Sequence, residues 1–117
     1  MAKNIVFEDT QDLSVVCTDP ATPVSGDPVI FGVNPAVALT DEREDGTTTV
    51  RRKVVAELTV KGVNGSGNSA VAVNDEIFYV TGDTPKLSKK ATGVPFGTAL
   101  EAIASGSTAT IRVLVGF

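Results

Sequence analysis

An all-β fold is predicted for this chain: a small single-domain β-barrel or β-sandwich with short strands and Gly/Pro-rich turns. Three observations predict it. Short β-prone runs recur between clusters of Gly, Pro, Asn and Asp, the residues that end strands. Residues 54–60 and 109–115 alternate at period two, as half-buried strands do. The chain has 117 residues, 42% hydrophobic and 21% charged, which is enough for one core without staples. The expected division is an N-terminal arm over residues 1–12 and one β domain over residues 13–117. That domain should hold about seven to nine strands of ordinary length.

The first clear run is residues 13–17, Leu13-Ser14-Val15-Val16-Cys17. Cys17 reads as a small buried strand residue, because a reactive thiol needs a basic neighbour and the nearest charge is Asp19. A Pro-rich turn follows, Asp19-Pro20-Ala21-Thr22-Pro23. Ser25-Gly26-Asp27 then leads into Pro28 and the apolar run 29–33. Pro28 fits the first position of a strand, where its missing N–H costs least. Residues 36–40 make another short run.

Residues 41–45, Asp41-Glu42-Arg43-Glu44-Asp45, are charged and end at Gly46. They read as a solvated loop, since the ligand spacing of a calcium loop is absent. Residues 47–61 read as one long strand, with Val54, Ala56, Leu58 and Val60 on one face. The basic triplet Arg51-Arg52-Lys53 within it is expected to pair with the acidic loop just upstream. Asn64-Gly65-Ser66-Gly67-Asn68 is the strongest turn signal, because Asn and Gly accept positive φ.

Beyond it, residues 70–73 and 77–80 read as two further strands split by Asn74-Asp75-Glu76. Lys86, Lys89 and Lys90 read as a solvated loop. Residues 97–104 fit either one helical turn or a strand entering a tight turn. The closing strand puts Ala109, Ile111, Val113 and Val115 on one face. A faint internal echo, Gly32-Val33…Ala38-Leu39 against Gly93-Val94…Ala99-Leu100, fits either two similar β-turn-β corners on opposite sides of a barrel or a chance recurrence of common residues.

Composition removes several function classes. The net charge of −4 argues against nucleic-acid binding, which needs Lys and Arg to neutralise phosphates. The chain has no His and no Trp, and one Cys. That excludes His-based triads, a His general base, His metal sites and an intrachain disulfide framework. No run approaches the ~20 apolar residues of a membrane span, and no targeting signal is visible. Synthesis and residence in a reducing cytoplasm, or in a particle assembled there, are expected.

Residues 62–69 nearly match a phosphate-binding P-loop. However, Asn68 occupies the Lys position, and the following residues alternate toward strand where a helix should begin. The looser dinucleotide fingerprint in the same stretch lacks its βαβ unit. No aromatic residues interleave with the lysines, so no stacking platform for single strands exists. All the acidic residues read as solvent-facing, which selects no carboxylate pair for acid–base work. No catalytic residue, cofactor or metal is therefore assigned.

The landmarks taken together are Met1-Ala2-Lys3-Asn4, Ser25-Gly26-Asp27-Pro28-Val29, the segment Gly32 to Leu39, the strand reaching Gly62, Gly93-Val94…Ala99-Leu100-Glu101-Ala102, Ser105-Gly106 and Thr110-Ile111-Arg112-Val113. In these the chain resembles the DUF2190 family of small tailed-bacteriophage proteins, regarded as capsid decoration or cement proteins. The resemblance implies a non-catalytic protein made in the bacterial host cytoplasm. It would bind the major capsid protein on the outer surface of the head and stabilise the shell, as a homo-oligomer, with a trimer expected. Its capsid-facing patch should be apolar and polar rather than basic.

Lys3, Asn4, Ile5, Val6 and Phe7 are the candidate capsid contacts, as an arm that adds a strand to a capsid edge. The charged stretch 41–53 and the Gly-rich loop 64–68 depart from the family picture. Rival readings are a tail or head–tail connector subunit and a host- or glycan-binding adhesion module. The adhesion reading calls for exposed aromatics, and this chain has one Tyr and five Phe.

Overall fold

Period-two alternation and turn residues together dictate where the strands lie. The computed structural model describes residues 12–116. Strands β1 (Asp12–Val15), β2 (Pro28–Phe31), β3 (Asn34–Ala38) and β4 (Thr48–Arg51) form an antiparallel sheet in the order β1-β4-β3-β2. Pro28 opens β2, as its missing N–H predicts. Five further strands close into a barrel: β5 (Val55–Lys61), β8 (Glu76–Tyr79), β9 (Leu87–Ser88), β10 (Val94–Ala99) and β11 (Thr108–Val115).

Around the barrel the order is β10-β11-β5-β9-β8, with β10 and β8 pairing to close the ring. All barrel pairings are antiparallel except the short β5–β9 contact. The two-residue strands β6 (Val63–Asn64) and β7 (Gly67–Asn68) form the hairpin predicted at 64–68. No helix occurs among the described residues, and none is long and apolar enough to cross a membrane.

The long pairing of β5 with β11 runs from Lys61↔Thr108 to Val55↔Leu114. One face of this pair buries Leu58, Val60, Ile111, Val113 and Val115. Each contributes roughly 1.5–3 kcal/mol on burial. β10 carries a bulge between Pro95 and Gly97 in its pairing with β8, which adds Phe96 as the extra residue. Phe96 is fully buried and stacks on Tyr79, ring centroids 5.9 Å apart. Gly97 is required next to it. A Cβ there would sit 2.1 Å from the Leu114 carbonyl oxygen, so only glycine lets β10 approach β11 this closely.

The β2–β3 part of the sheet is buried on both faces. Ile30 and Val37 join the barrel residues in one cluster. Val29, Ala36, Ala38, Val50 and Cys17 form a second, smaller cluster. Adjacent residues 29 and 30 point to opposite faces, and both are buried.

Several sequence expectations are corrected. Residues 47–61 are two strands in two different sheets, because the chain breaks at 52–54. Lys53 takes a left-handed conformation there, φ 53°. Cys17 is buried but lies beyond the end of β1. Residues 70–73 make only an isolated bridge, Val71↔Ile103, with Val73 exposed. Residues 97–104 follow the strand alternative and contain no helical turn. Only the first half of the internal echo is a β-turn-β corner: Gly32-Val33 turns β2 into β3, whereas Gly93 precedes β10, and β3 and β10 pack against each other. Strands number eleven among the described residues, because three of them, β6, β7 and β9, are only two residues long.

Candidate functional site

Alternation that buries one face of β5 and β11 necessarily turns the other face outward. That face carries Val55, Glu57 and Thr59 on β5 against Leu114, Arg112 and Thr110 on β11. Val55 and Leu114 lie directly opposite each other and are 51% and 41% exposed. The Thr59 and Thr110 hydroxyls meet at 3.2 Å, and Glu57 stands opposite Arg112 in register. The result is a stiff two-stranded ribbon, apolar at one end and polar along its length. Unpaired apolar surface of this kind suits protein docking.

Beside the apolar end lies a cleft of about 330 Å³ lined by Val33, Asn34, Pro35, Arg52, Lys53, Pro95 and Gly116. Val33 is 75% exposed. A second, more open depression over Lys53, Leu114, Val115 and Gly116 joins this cleft to the ribbon.

The Arg51-Arg52-Lys53 triplet does not pair with the acidic loop. Arg51 instead makes a two-pronged pair with Asp12, Nε–Oδ1 2.7 Å and Nη2–Oδ2 2.9 Å. This hydrogen bond holds the Asp12 carboxyl below its ordinary range. The acidic loop joins β3 to β4 at the sheet's other end. There Arg43 bonds the Thr49 hydroxyl, and Asp45 accepts bonds from the Thr47 backbone N–H and hydroxyl. Those two bonds keep the Asp45 carboxyl below its ordinary range.

The lysines of the 86–90 segment are not a solvated loop either. Lys86 pairs with Asp19 at 2.8 Å, Lys89 with Asp75 at 3.1 Å and Lys90 with Asp83 at 2.7 Å. Nor do all carboxylates face solvent. Asp19 is largely enclosed, and it accepts hydrogen bonds from the Tyr79 hydroxyl and from Lys86 Nζ. The Lys86 ammonium also lies 5.5 Å from the Tyr79 ring centroid. Burial pushes the Asp19 pKa up, but the bonds from Lys86 and Tyr79 and the Lys86 charge outweigh it, and the net direction is down. Burial, then the bond to Asp19, pushes the Tyr79 phenol far above its ordinary value. The Asp19 backbone also bridges Ile30 of β2. This cluster therefore ties the sheet to the barrel, which keeps the exposed faces in a fixed relation. No signal in the residues around Asp19 marks it for enclosure.

The P-loop-like stretch is a tight hairpin beside a polar groove of about 340 Å³. A Cβ at Gly62 would sit 2.6 Å from the Ala104 carbonyl oxygen, so Gly62 serves backbone packing. Burial pushes the Cys17 thiol pKa up, with Glu42 adding to it and the Thr48 hydroxyl opposing it. Among the described residues no group of three or more His, Cys, Asp or Glu side chains converges to hold a metal. The candidate contacts Lys3, Asn4, Ile5, Val6 and Phe7 lie outside the described residues.

Comparison with known proteins places these surfaces in a setting. The sequence model of a family described as phage cement protein matches residues 7–115. No curated protein and no solved structure matches the chain. The match spans both the sheet and the barrel, and so the surfaces described above up to Val115. This all-β chain belongs to the phage cement protein family and serves as a capsid decoration protein.

Proposed function

We propose that this chain acts without catalysis, binds the major capsid protein on the outer surface of the head, and does so as a homo-oligomer, a trimer. In this reading residues 13–117 act as one β domain, and residues 1–12 are an arm that adds a strand to a capsid edge through Lys3, Asn4, Ile5, Val6 and Phe7. The observation that carries the reading is the outward ribbon of β5 and β11. It sets exposed Val55 against exposed Leu114 on a barrel whose other face is closed by its own core. A rigid ribbon of this kind loses little conformational entropy on docking. Many weak copies of one contact across a lattice then give avidity.

Quantitative mass spectrometry of purified virions tests the reading. A copy number close to that of the major capsid protein supports it. A ratio of a few per cent would move the chain to the portal or tail, and absence from the particle would remove the reading. Val55→Glu with Leu114→Glu is expected to abolish shell occupancy with the melting temperature nearly unchanged. A variant lacking residues 1–7 is expected to lose occupancy, and full occupancy would remove the arm from the contact.

A further inference from the structure

The four-stranded sheet is polarised along its strands. At one end the loop between β3 and β4 presents Asp41, Glu42, Glu44 and Asp45 against the single cation Arg43. Asp41, Glu44 and Asp45 are exposed, and the exposed apolar residues Val24 and Leu39 flank them. At the other end lies the cleft of Val33, Pro35 and Pro95 with Arg52 and Lys53. Among the described residues, neither Arg52 nor Lys53, nor Glu42 or Glu44, takes part in a salt bridge.

These two ends cannot satisfy each other within one molecule. β4 runs from Thr48, beside the acidic loop, to Arg51, beside the cleft. Five residue steps lead from Thr47 to Arg52, about 17 Å at the rise of an extended strand. Lys53 is also the residue held at φ 53°, a conformation that non-glycine residues rarely adopt and that concentrates at functional positions.

We propose that the cationic, apolar cleft of one copy receives the acidic, apolar 39–45 loop of a second copy. The inference rests on the homo-oligomeric reading above and names its contact. Each end offers an apolar centre with charge beside it, of opposite sign. Because the two surfaces differ, the contact is head-to-tail, and a head-to-tail contact that closes makes a ring. It also leaves the β5–β11 ribbon, which adjoins the cleft, free to face the shell. Charge opposition sets the register of such a contact more than its affinity.

A carbodiimide, which joins an amine to a carboxylate only when they touch, tests this. A mixture of isotopically light and heavy protein is treated at high concentration, and in parallel on particles carrying the chain. The expected product is a light–heavy peptide pair linking Lys53 to Glu42 or Glu44. The link is expected to vanish in Lys53→Gln and in the double variant Glu42→Gln with Glu44→Gln, with melting temperatures unchanged. Absence of the link in both free and particle-bound protein overturns the proposal. A link from Lys53 to a capsid subunit would overturn it too, by giving the cleft to the shell. Absence of the chain from virions would instead sink the capsid-surface reading, while the link in free protein would still stand.

Discussion

The Tyr79 hydroxyl donates a hydrogen bond to the Asp19 carboxylate, joining barrel strand β8 to the segment that enters β2 of the sheet. Lys86 supplies a second bond to the same carboxylate oxygen. Removing either partner of a bond to a charged group costs about 1.5–3 kcal/mol. Tyr79→Phe leaves Asp19 with Lys86 and is expected to fall at the lower end of that range. Asp19→Ala strands a buried phenol and is expected to fall at the upper end. Chemical denaturation of the two variants measures both costs, and equal stability of Asp19→Ala and wild type would show that the tie contributes nothing.

The same pair predicts two pH limits. Asp19 has a folded pKa below its ordinary 3.8, so its contribution is present above that value and is lost as pH falls through the folded value. Tyr79 has a folded pKa raised above its ordinary 10.0. Its contribution is present below that value and is lost as pH rises beyond it, because the unfolded chain ionises first. Melting temperature measured from pH 2 to pH 11 should fall at both ends. Tyr79→Phe should flatten the alkaline fall, and Asp19→Asn the acid fall.

Gly97→Ala is expected to destabilise the barrel by about 1–3 kcal/mol, the cost of overpacking, because its Cβ would meet the Leu114 carbonyl. Gly65→Ala in the hairpin meets nothing within 4 Å and should stay within about ±0.5 kcal/mol. Denaturation midpoints of the two variants compare them directly.

Val113→Asp is expected to prevent folding, since Val113 is fully enclosed in the barrel and an unpaired carboxylate cannot be buried cheaply. Val55→Asp, on the outward face of the same strand pair, should fold normally. Far-UV circular dichroism of the two soluble fractions separates these outcomes. A Val113→Asp protein with an unchanged melting temperature would overturn the core assignment.

Thr48 is fully buried, and its hydroxyl makes no well-formed hydrogen bond among the described residues, only the weak approach that lowers the Cys17 thiol. Thr48→Val keeps the shape and removes the stranded group. The variant is expected to match or exceed wild-type stability, by up to about 1–3 kcal/mol, in the same denaturation assay.

The residues themselves determined the all-β class, the Pro28 strand start, the 64–68 hairpin and the inward faces of β5 and β11. Each rests on a local rule: period-two alternation, the missing proline N–H, or the tolerance of Asn and Gly for turn geometry. The failure of the P-loop was legible as well, because Asn68 lacks the required charge. The break at 52–54 was not legible. Val50 and Val54 keep the alternation going across it, and a lysine gives no warning of a left-handed turn.

Only the tertiary structure decided which charges meet. Arg51 lies 39 residues from Asp12, and Lys86 lies 67 residues from Asp19, so no local pattern links either pair. The same holds for the two ends of the sheet. Loop 41–45 and residues 52–53 are near neighbours in sequence, yet extended β4 carries them to opposite ends. Strand geometry turns short sequence separation into distance, and sheet pairing turns long separation into contact. The exposed faces of this cement protein follow from those two facts.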